Sequence, residues 1–448
     1  MAHISILDCP QEVQLQIVRF ACQSDLARLS LTCHALHNLT EPLIYSSVKF
    51  EWAREFHPPI TQLMQLLRTL LERQDLCPLI RHADFEGFGY RDELGSLHSD
   101  WTEEALDPPP VIPELPTDQL SAAIGKTGVS KAVVEQWFEK VQSGSPEASA
   151  AVLRAALCEK PEHASEVGLP SFTSLKHVSL ALLLHLNRHR HPSNTADALA
   201  LFYLPNIETL SVSIDNPTSF TWPSSSPPKP TSLKSLEIFR LRESRLAPVL
   251  SVATNLKKLK YNWMYCREVD DEVSKQSVML GALSEALIET KDSLEELEII
   301  ADTLPSPSCG EYEPPDVTFQ GSISRLSEMH KLKTLYIPWT FLTGRKGLST
   351  GPGLIGAAIP LNVEHLALDG FVTWSEDDCV EDTDELMVDG FAKELESGAL
   401  LHLKSLKSVC LPNSLFLAGL SEILENRMRA LEDRFGLALS YDKGRDRD

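Results

Sequence analysis

The hexapeptide Leu294-Glu295-Glu296-Leu297-Glu298-Ile299 carries apolar residues at its first, fourth and sixth positions. In an extended chain the fourth and sixth point to one face, and the third, fifth and seventh to the other. The same spacing recurs at Leu175-Val178-Leu180, Ile207-Leu210-Val212, Leu233-Leu236-Ile238, Leu256-Leu259-Tyr261, Leu332-Leu335-Ile337, Val363-Leu366-Leu368 and Leu406-Val409-Leu411. Successive units begin 32, 26, 23, 38, 38, 31 and 43 residues apart, an internal repeat of uneven length. Strands of this kind laid side by side in parallel bury their apolar column, while the intervening segments return outside as helices or loops. Ser277 to Thr290, with Val278, Leu280, Leu283 and Leu287, reads as one such helix. The competing reading is that the triplets are ordinary core strands of another α/β fold.

This region resembles leucine-rich repeats. Regular members of that family place Asn or Cys three positions beyond the last core residue; here those positions hold Leu183, Asp215, Leu241, Met264, Asp302, Thr340, Phe371 and Ser414. No Asn ladder is therefore expected, and the resemblance implies an irregular solenoid with a parallel sheet. Its open face would carry Ser179, Ser211, Glu237, Lys260, Glu298 and Tyr336 in one line, with His177, Lys258, Glu296 and His365 beside it. The residues singled out there for holding a target are His177, Ser211, Glu237, Lys258, Lys260, Glu298, Tyr336 and His365. Lys258 and Lys260 would lie next to Glu296 and Glu298 and pair with them.

The first fifty residues read as three short amphipathic helices. Asp8 would cap the first, with Gln11 completing a capping box and Pro10 in the opening turn. Val13, Ile17 and Phe20/Ala21 then form one stripe. Ser24 would cap a second helix bearing Leu26, Leu29 and Cys33, and Leu36, Leu39 and Leu43 mark a third. About ten apolar anchors, each contributing about 1.5–3 kcal/mol if fully buried, make a marginal domain that gains by docking.

The order Cys9-Pro10-x-Glu12-Val13, Ile17-Val18, Asp25-Leu26, Leu29, Thr32-Cys33, Leu36 and Pro42-Leu43-Ile44-Tyr45 resembles the F-box over about residues 5–46. The resemblance implies binding to the Skp-type adaptor of a cullin–RING ubiquitin ligase through exposed apolar side chains, assigned to Pro10, Val13, Ile17, Leu26 and Leu29. Cys9, where the family usually has Leu, joins that set as its misfit. The plainer alternative is a three-helix cap on the repeats.

The expected fold is thus α/β, in four parts. An F-box (1–50) leads into a helical intermediate region with a Pro- and acid-rich linker (51–168). An irregular repeat array (169–414) follows, and a capping helix with a charged tail (415–448) ends the chain. Helices are expected over Ile60–Leu76, Val129–Val141, Glu147–Leu157 and Leu415–Leu431. Loops are expected over Asp84–Asp107 and, with eight acidic residues, over Ser375–Asp389.

A net charge of −22 argues against a chain that wraps nucleic acid. No run of eighteen apolar residues argues for a membrane span. Nine scattered Cys without C-x-x-C spacing fit reduced thiols in cytoplasm or nucleus. Gly351-Pro352-Gly353-Leu354-Ile355-Gly356 matches a dinucleotide motif and Gly347-Leu348-Ser349-Thr350-Gly351 a nucleophile elbow, but no strand feeds either directly. Gly125-Lys126-Thr127 lacks the upstream Gly of a phosphate loop, and His185, His189 and His191 are interleaved with arginines. No catalytic site, metal or cofactor is expected. The function expected is that of a substrate-recognition subunit of a ubiquitin ligase, or else a protein-interaction scaffold outside one.

Overall fold

The computed structural model describes residues 6–53, 60–88, 115–125, 174–180, 198–199, 201–214, 216–222, 226–267, 272–304, 315–344, 354–370, 383–412 and 421–441, with four residues between 135 and 141. The chain is mixed α/β and divides into two compact units, Met1–Leu184 with Ala200–Thr209, and His185–Leu199 with Leu210–Asp448. Among the described residues, three parallel strands belong to the first unit and ten to the second, two of the ten forming a ribbon of their own.

The first unit opens with three helices, α1 (Gln11–Arg19), α2 (Gln23–Ser30) and α3 (His34–Ile44). The starts differ from the sequence reading. Pro10 itself is the cap residue of α1, its fixed φ setting the first turn, and Cys22 rather than Ser24 precedes α2. Val18, Leu26, Leu36 and Leu39 form the buried centre, with Leu15, Leu29, Leu43 and Ile44 packed partly against it. Strand β1 (Ser47–Ala53) follows, then α4 (Ile60–Glu72), a 3-10 turn at Gln74–Leu79, and β2 (His82–Phe88).

β1 and β2 pair in parallel, as do β2 and β3 (His177–Leu180). The intermediate region is therefore not purely helical, and the loop expected from Asp84 begins as a strand. Arg73 holds the turn: it forks onto Asp75 at 2.6 and 2.8 Å and reaches Glu41 of α3 at 3.4 Å. Within that bidentate pair the Asp75 carboxyl is held below its usual range by the Arg73 hydrogen bonds. The helix α5 (Thr117–Gly125) also belongs here. The helices expected over 129–141 and 147–157, and His185 to His191, lie almost wholly outside the described residues.

The second unit carries β4 (Thr209–Ser213, its first residue falling with the first unit), β5 (Ser235–Phe239), β6 (Lys258–Cys266), β7 (Ser277–Met279), β8 (Glu296–Leu304), β9 (Thr318–Gln320), β10 (Thr334–Pro338), β11 (His365–Asp369), β12 (Ser408–Leu411) and β13 (Ala438–Tyr441). β7 and β9 form a separate parallel ribbon; the others lie side by side in chain order. Every described side chain at the first, fourth and sixth repeat positions is buried. Equivalent positions stand in register: Ser235, Lys258, Glu296, Thr334, His365 and Ser408 form one row across the sheet.

The register is set where each strand begins. The Lys257 carbonyl accepts from the amides of both Glu295 and Glu296, that of Glu295 from Lys333 and Thr334, and that of Lys333 from Glu364 and His365. From Lys257 onward the side chains at this second position alternate in sign along the edge: Lys257 bonds Glu295 at 2.8 Å, Lys333 reaches Glu295 at 3.6 Å, and Lys407 pairs with Glu364. An asparagine tie between turns is also present, at a place the family pattern does not indicate. Asn255 and Asn362 directly precede the first core residue. Their side-chain amides donate to the carbonyls of Thr231 and His330 in the preceding turns.

Other segments also differ from the sequence reading. Ser277–Thr290 begins as β7 and becomes helical at Leu280–Ile288. The acidic stretch ends inside a helix, Thr383–Glu396, rather than a loop. The last described helix is Glu422–Phe435, capped by the Ser421 hydroxyl, and β13 then adds a strand where the sequence reading expects only a capping helix and a charged tail. Gly347–Gly353 lies outside the described residues. Gly356, within the short helix Leu354–Ala358, has a packing role: a Cβ there would lie 2.4 Å from the Ala399 carbonyl oxygen.

Candidate functional site

On the helical end of the first unit, apolar surface is left open. Val13 (40% exposed), Ile17 (47%) and Phe20 (92%) fall at i, i+4 and i+7 on α1, and Leu31, just past α2, is 87% exposed. Apolar side chains this exposed on a small helical unit have the composition of a docking surface. Pro10 is exposed and Cys9 half-buried beside it, its carbonyl accepting from the Gln14 amide at 2.7 Å. Leu26 does not belong to this surface. It is 6% exposed, in the centre of the helical core, so it cannot reach a partner without opening that core. Leu29 is half-buried against the same cluster. Phe20 shares the stripe that the sequence reading draws through Val13 and Ile17 but is not among the adaptor-contact residues assigned there, and neither is Leu31; both stand at helix C-caps.

In the first unit His82 and His177 stack face to face on adjacent strands, centroids 4.5 Å apart and planes 4° from parallel. Burial, reinforced by the neighbouring His82, holds the His177 ring below its ordinary 6.5. Lys176 pairs with Glu208 close by at 2.5 Å.

In the second unit the third, fifth and seventh strand positions form an open face. Glu237, Lys258, Lys260, Glu298, Tyr336 and His365 are all partly or well exposed there. Ser211 is the exception: its side chain is covered, and its hydroxyl donates to Glu237 at 2.7 Å. Lys258 bonds Glu296 at 2.7 Å, but Lys260 turns back to Glu237 at 2.8 Å rather than to Glu298. His365 Nδ1 and the Ser408 hydroxyl share a 2.8 Å hydrogen bond. These ties order the rows, although each exposed pair contributes little stability.

Behind the face lies a buried ion pair. Glu243 accepts from Arg242 Nε at 2.9 Å and its terminal nitrogen at 3.2 Å, from Trp263 Nε1 at 3.0 Å and from the Met279 amide at 2.5 Å. The Arg242 guanidinium lies 4.6 Å from the Trp263 ring centroid and donates to the Lys275 and Ser277 carbonyls and the Ser274 hydroxyl. Both ions are thus nearly saturated with partners, which a buried pair requires. The arrangement pins β7 to the turn after β5.

Among the described residues no group of three or more His, Cys, Asp or Glu is placed to hold a metal ion, and no helix is long and apolar enough to cross a membrane. The sequence matches no family model and no curated protein.

Proposed function

We propose that the chain is the substrate-recognition subunit of a cullin–RING ubiquitin ligase, with residues 1–50 acting as an F-box on a Skp-type adaptor. On this reading the parallel strands form a leucine-rich-repeat-like solenoid that holds a target protein. The single observation that carries the proposal is the outward apolar stripe Val13, Ile17 and Phe20 on a helical trio whose own core is closed without it. A stripe that stabilises nothing internal is free to be covered by a partner, and it coincides with the segment that resembles the F-box. The open polar face of the second unit supports the other half, since such surfaces suit protein recognition. The chemistry would be done by the ligase's other subunits, and this chain would act by raising the local concentration of target lysines.

Cys9, half-buried where the family's pattern has Leu, favours a second reading in which adaptor contact is weaker and the chain works as a scaffold outside a ligase. Co-expression with a Skp-type adaptor and a cullin separates the two. The ligase reading expects a stable ternary complex that Ile17→Asp with Phe20→Asp abolishes. Failure of the chain to retain the adaptor, with Cys9→Leu giving no gain, refutes it; adaptor binding without cullin assembly supports the scaffold.

A further inference from the structure

In the second unit the third strand position sets Lys258 against Glu296 and His365 against Ser408, neighbours that attract. In the first unit the same position sets His82 against His177, one imidazole against another. While the rings are neutral they stack flat. Once both carry a proton, two like charges stand 4.5 Å apart and repel. The surroundings already lean positive. Lys49 faces Asp84 at 3.9 Å and Lys176 pairs with Glu208 at 2.5 Å, whereas Arg81 pairs with no carboxylate among the described residues. Arg81 and Lys176 directly precede the two histidines. Two added protons therefore set four cations, Arg81, His82, Lys176 and His177, at the start of two adjacent strands, with Glu208 and Asp84 as the carboxylates near them.

The seam that the rings span is short. β2 and β3 are in register over His82–His177, Ala83–Val178 and Asp84–Ser179, and the Arg81 carbonyl accepts from the amides of Lys176 and His177. It also joins the two ends of residues 89–176. A junction held by so few bonds opens locally at less cost than a whole sheet.

We propose that the His82–His177 stack is a proton-sensitive clasp, which holds β2 to β3 while neutral and releases them when both rings are protonated. An open seam accepts a proton on each ring, whereas the closed stack resists the second, so protons favour the open form. Burial, and then the neighbouring His82, hold the His177 ring below its ordinary 6.5. The clasp's contribution is thus present above pH 6.5 and lost as pH falls from there. It is independent of the receptor reading, since it governs the junction that closes residues 89–176 whatever the chain binds.

The test reads hydrogen exchange of the full chain by mass spectrometry at pH 7.5 and pH 5, corrected for the intrinsic pH dependence of exchange. Peptides carrying Lys176 to Leu180 report the seam. Peptides carrying Glu296 to Ile300, whose strand has Lys258 and Thr334 as neighbours, serve as the reference. At pH 5 the native chain should lose about fivefold or more of its protection at the seam while the reference keeps its own. His82→Gln should cut that loss to about twofold or less, although His177 stays in place, because one ring alone meets no second charge. Arg81→Gln leaves both rings and should move the loss to lower pH. Both variants replace exposed side chains, and their melting at pH 7.5 should match the native chain. No loss at the seam, an equal loss at the reference, or a loss that His82→Gln leaves intact would each overturn the proposal.

Discussion

Replacing Glu243 by glutamine removes the negative half of a pair in which both side chains are at most 2% exposed. The Arg242 guanidinium would then face a neutral amide in a site from which water is excluded, and breaking a buried pair in this way costs about 3–5 kcal/mol. Arg242→Met should cost a similar amount, because the carboxylate keeps only the Trp263 Nε1 and Met279 amide donors, and the Lys275 and Ser277 carbonyls lose theirs. Were the two losses additive, the double variant would forfeit roughly 6–10 kcal/mol, comparable to the whole stability of an ordinary domain. The double variant Arg242→Met with Glu243→Gln buries no net charge, however, and leaves only unserved carbonyls, about 1–3 kcal/mol. The expected coupling from a double-mutant cycle in urea is therefore about 3 kcal/mol or more, with the double variant no less stable than the weaker single. A local readout accompanies it: the Met279 amide should lose hydrogen-exchange protection in Glu243→Gln before the sheet does. Losses that add to within about 0.5 kcal/mol would refute the argument that unpaired charge is the dominant cost.

Leu26→Ala should destabilise by about 2–5 kcal/mol in thermal or urea unfolding, whereas Phe20→Ala should change stability by less than about 0.5 kcal/mol yet reduce adaptor retention. For His177, the folded chain binds the ring proton less readily than the unfolded chain. The group's stabilising contribution is therefore present above pH 6.5 and lost as pH falls from there through the lower folded value. Melting at pH 7.5 and at pH 5 should show a larger loss for the native chain than for His177→Asn; equal losses would contradict this. Gly356→Ala should destabilise by about 1–3 kcal/mol because the Ala399 backbone cannot yield. Gly281→Ala, helical and with nothing within 4 Å of the added Cβ, should stabilise by about 0.5–1 kcal/mol.

The strands from β3 to β12 that carry the repeat were legible because a period of two with a fixed apolar triplet leaves few alternatives. The row through Lys258, Glu296, Thr334 and His365 follows from the triplets alone once the strands are parallel. β1, β2 and β13 were missed because their neighbours, not an apolar triplet, recruit them: Ser47-Val48-Lys49-Phe50 and Ala438-Leu439-Ser440-Tyr441 are too short or too mixed to declare a strand. In α1 two apolar edges compete, Val13/Ile17 and Leu15/Val18. Periodicity finds both without saying which one α2 and α3 cover. Leu26 was misassigned for the same reason, since an amphipathic stripe marks a covered face and not what covers it. The asparagine ties went unseen because they precede the triplet, at Asn255-Leu256 and Asn362-Val363, where the family pattern does not look.

The forked carbonyl at the start of each strand has a consequence for how this protein can change over evolutionary time. Alignment of neighbouring strands is fixed within two residues at one end, by bonds that are blind to how long the connecting segment was. Units whose spacings range from 23 to 43 residues across the array therefore share a single alignment. Length variation is confined to the far ends, where β6 and β8 already run four residues beyond β5. Insertions there can remodel the open face one turn at a time while the apolar column beneath keeps its order.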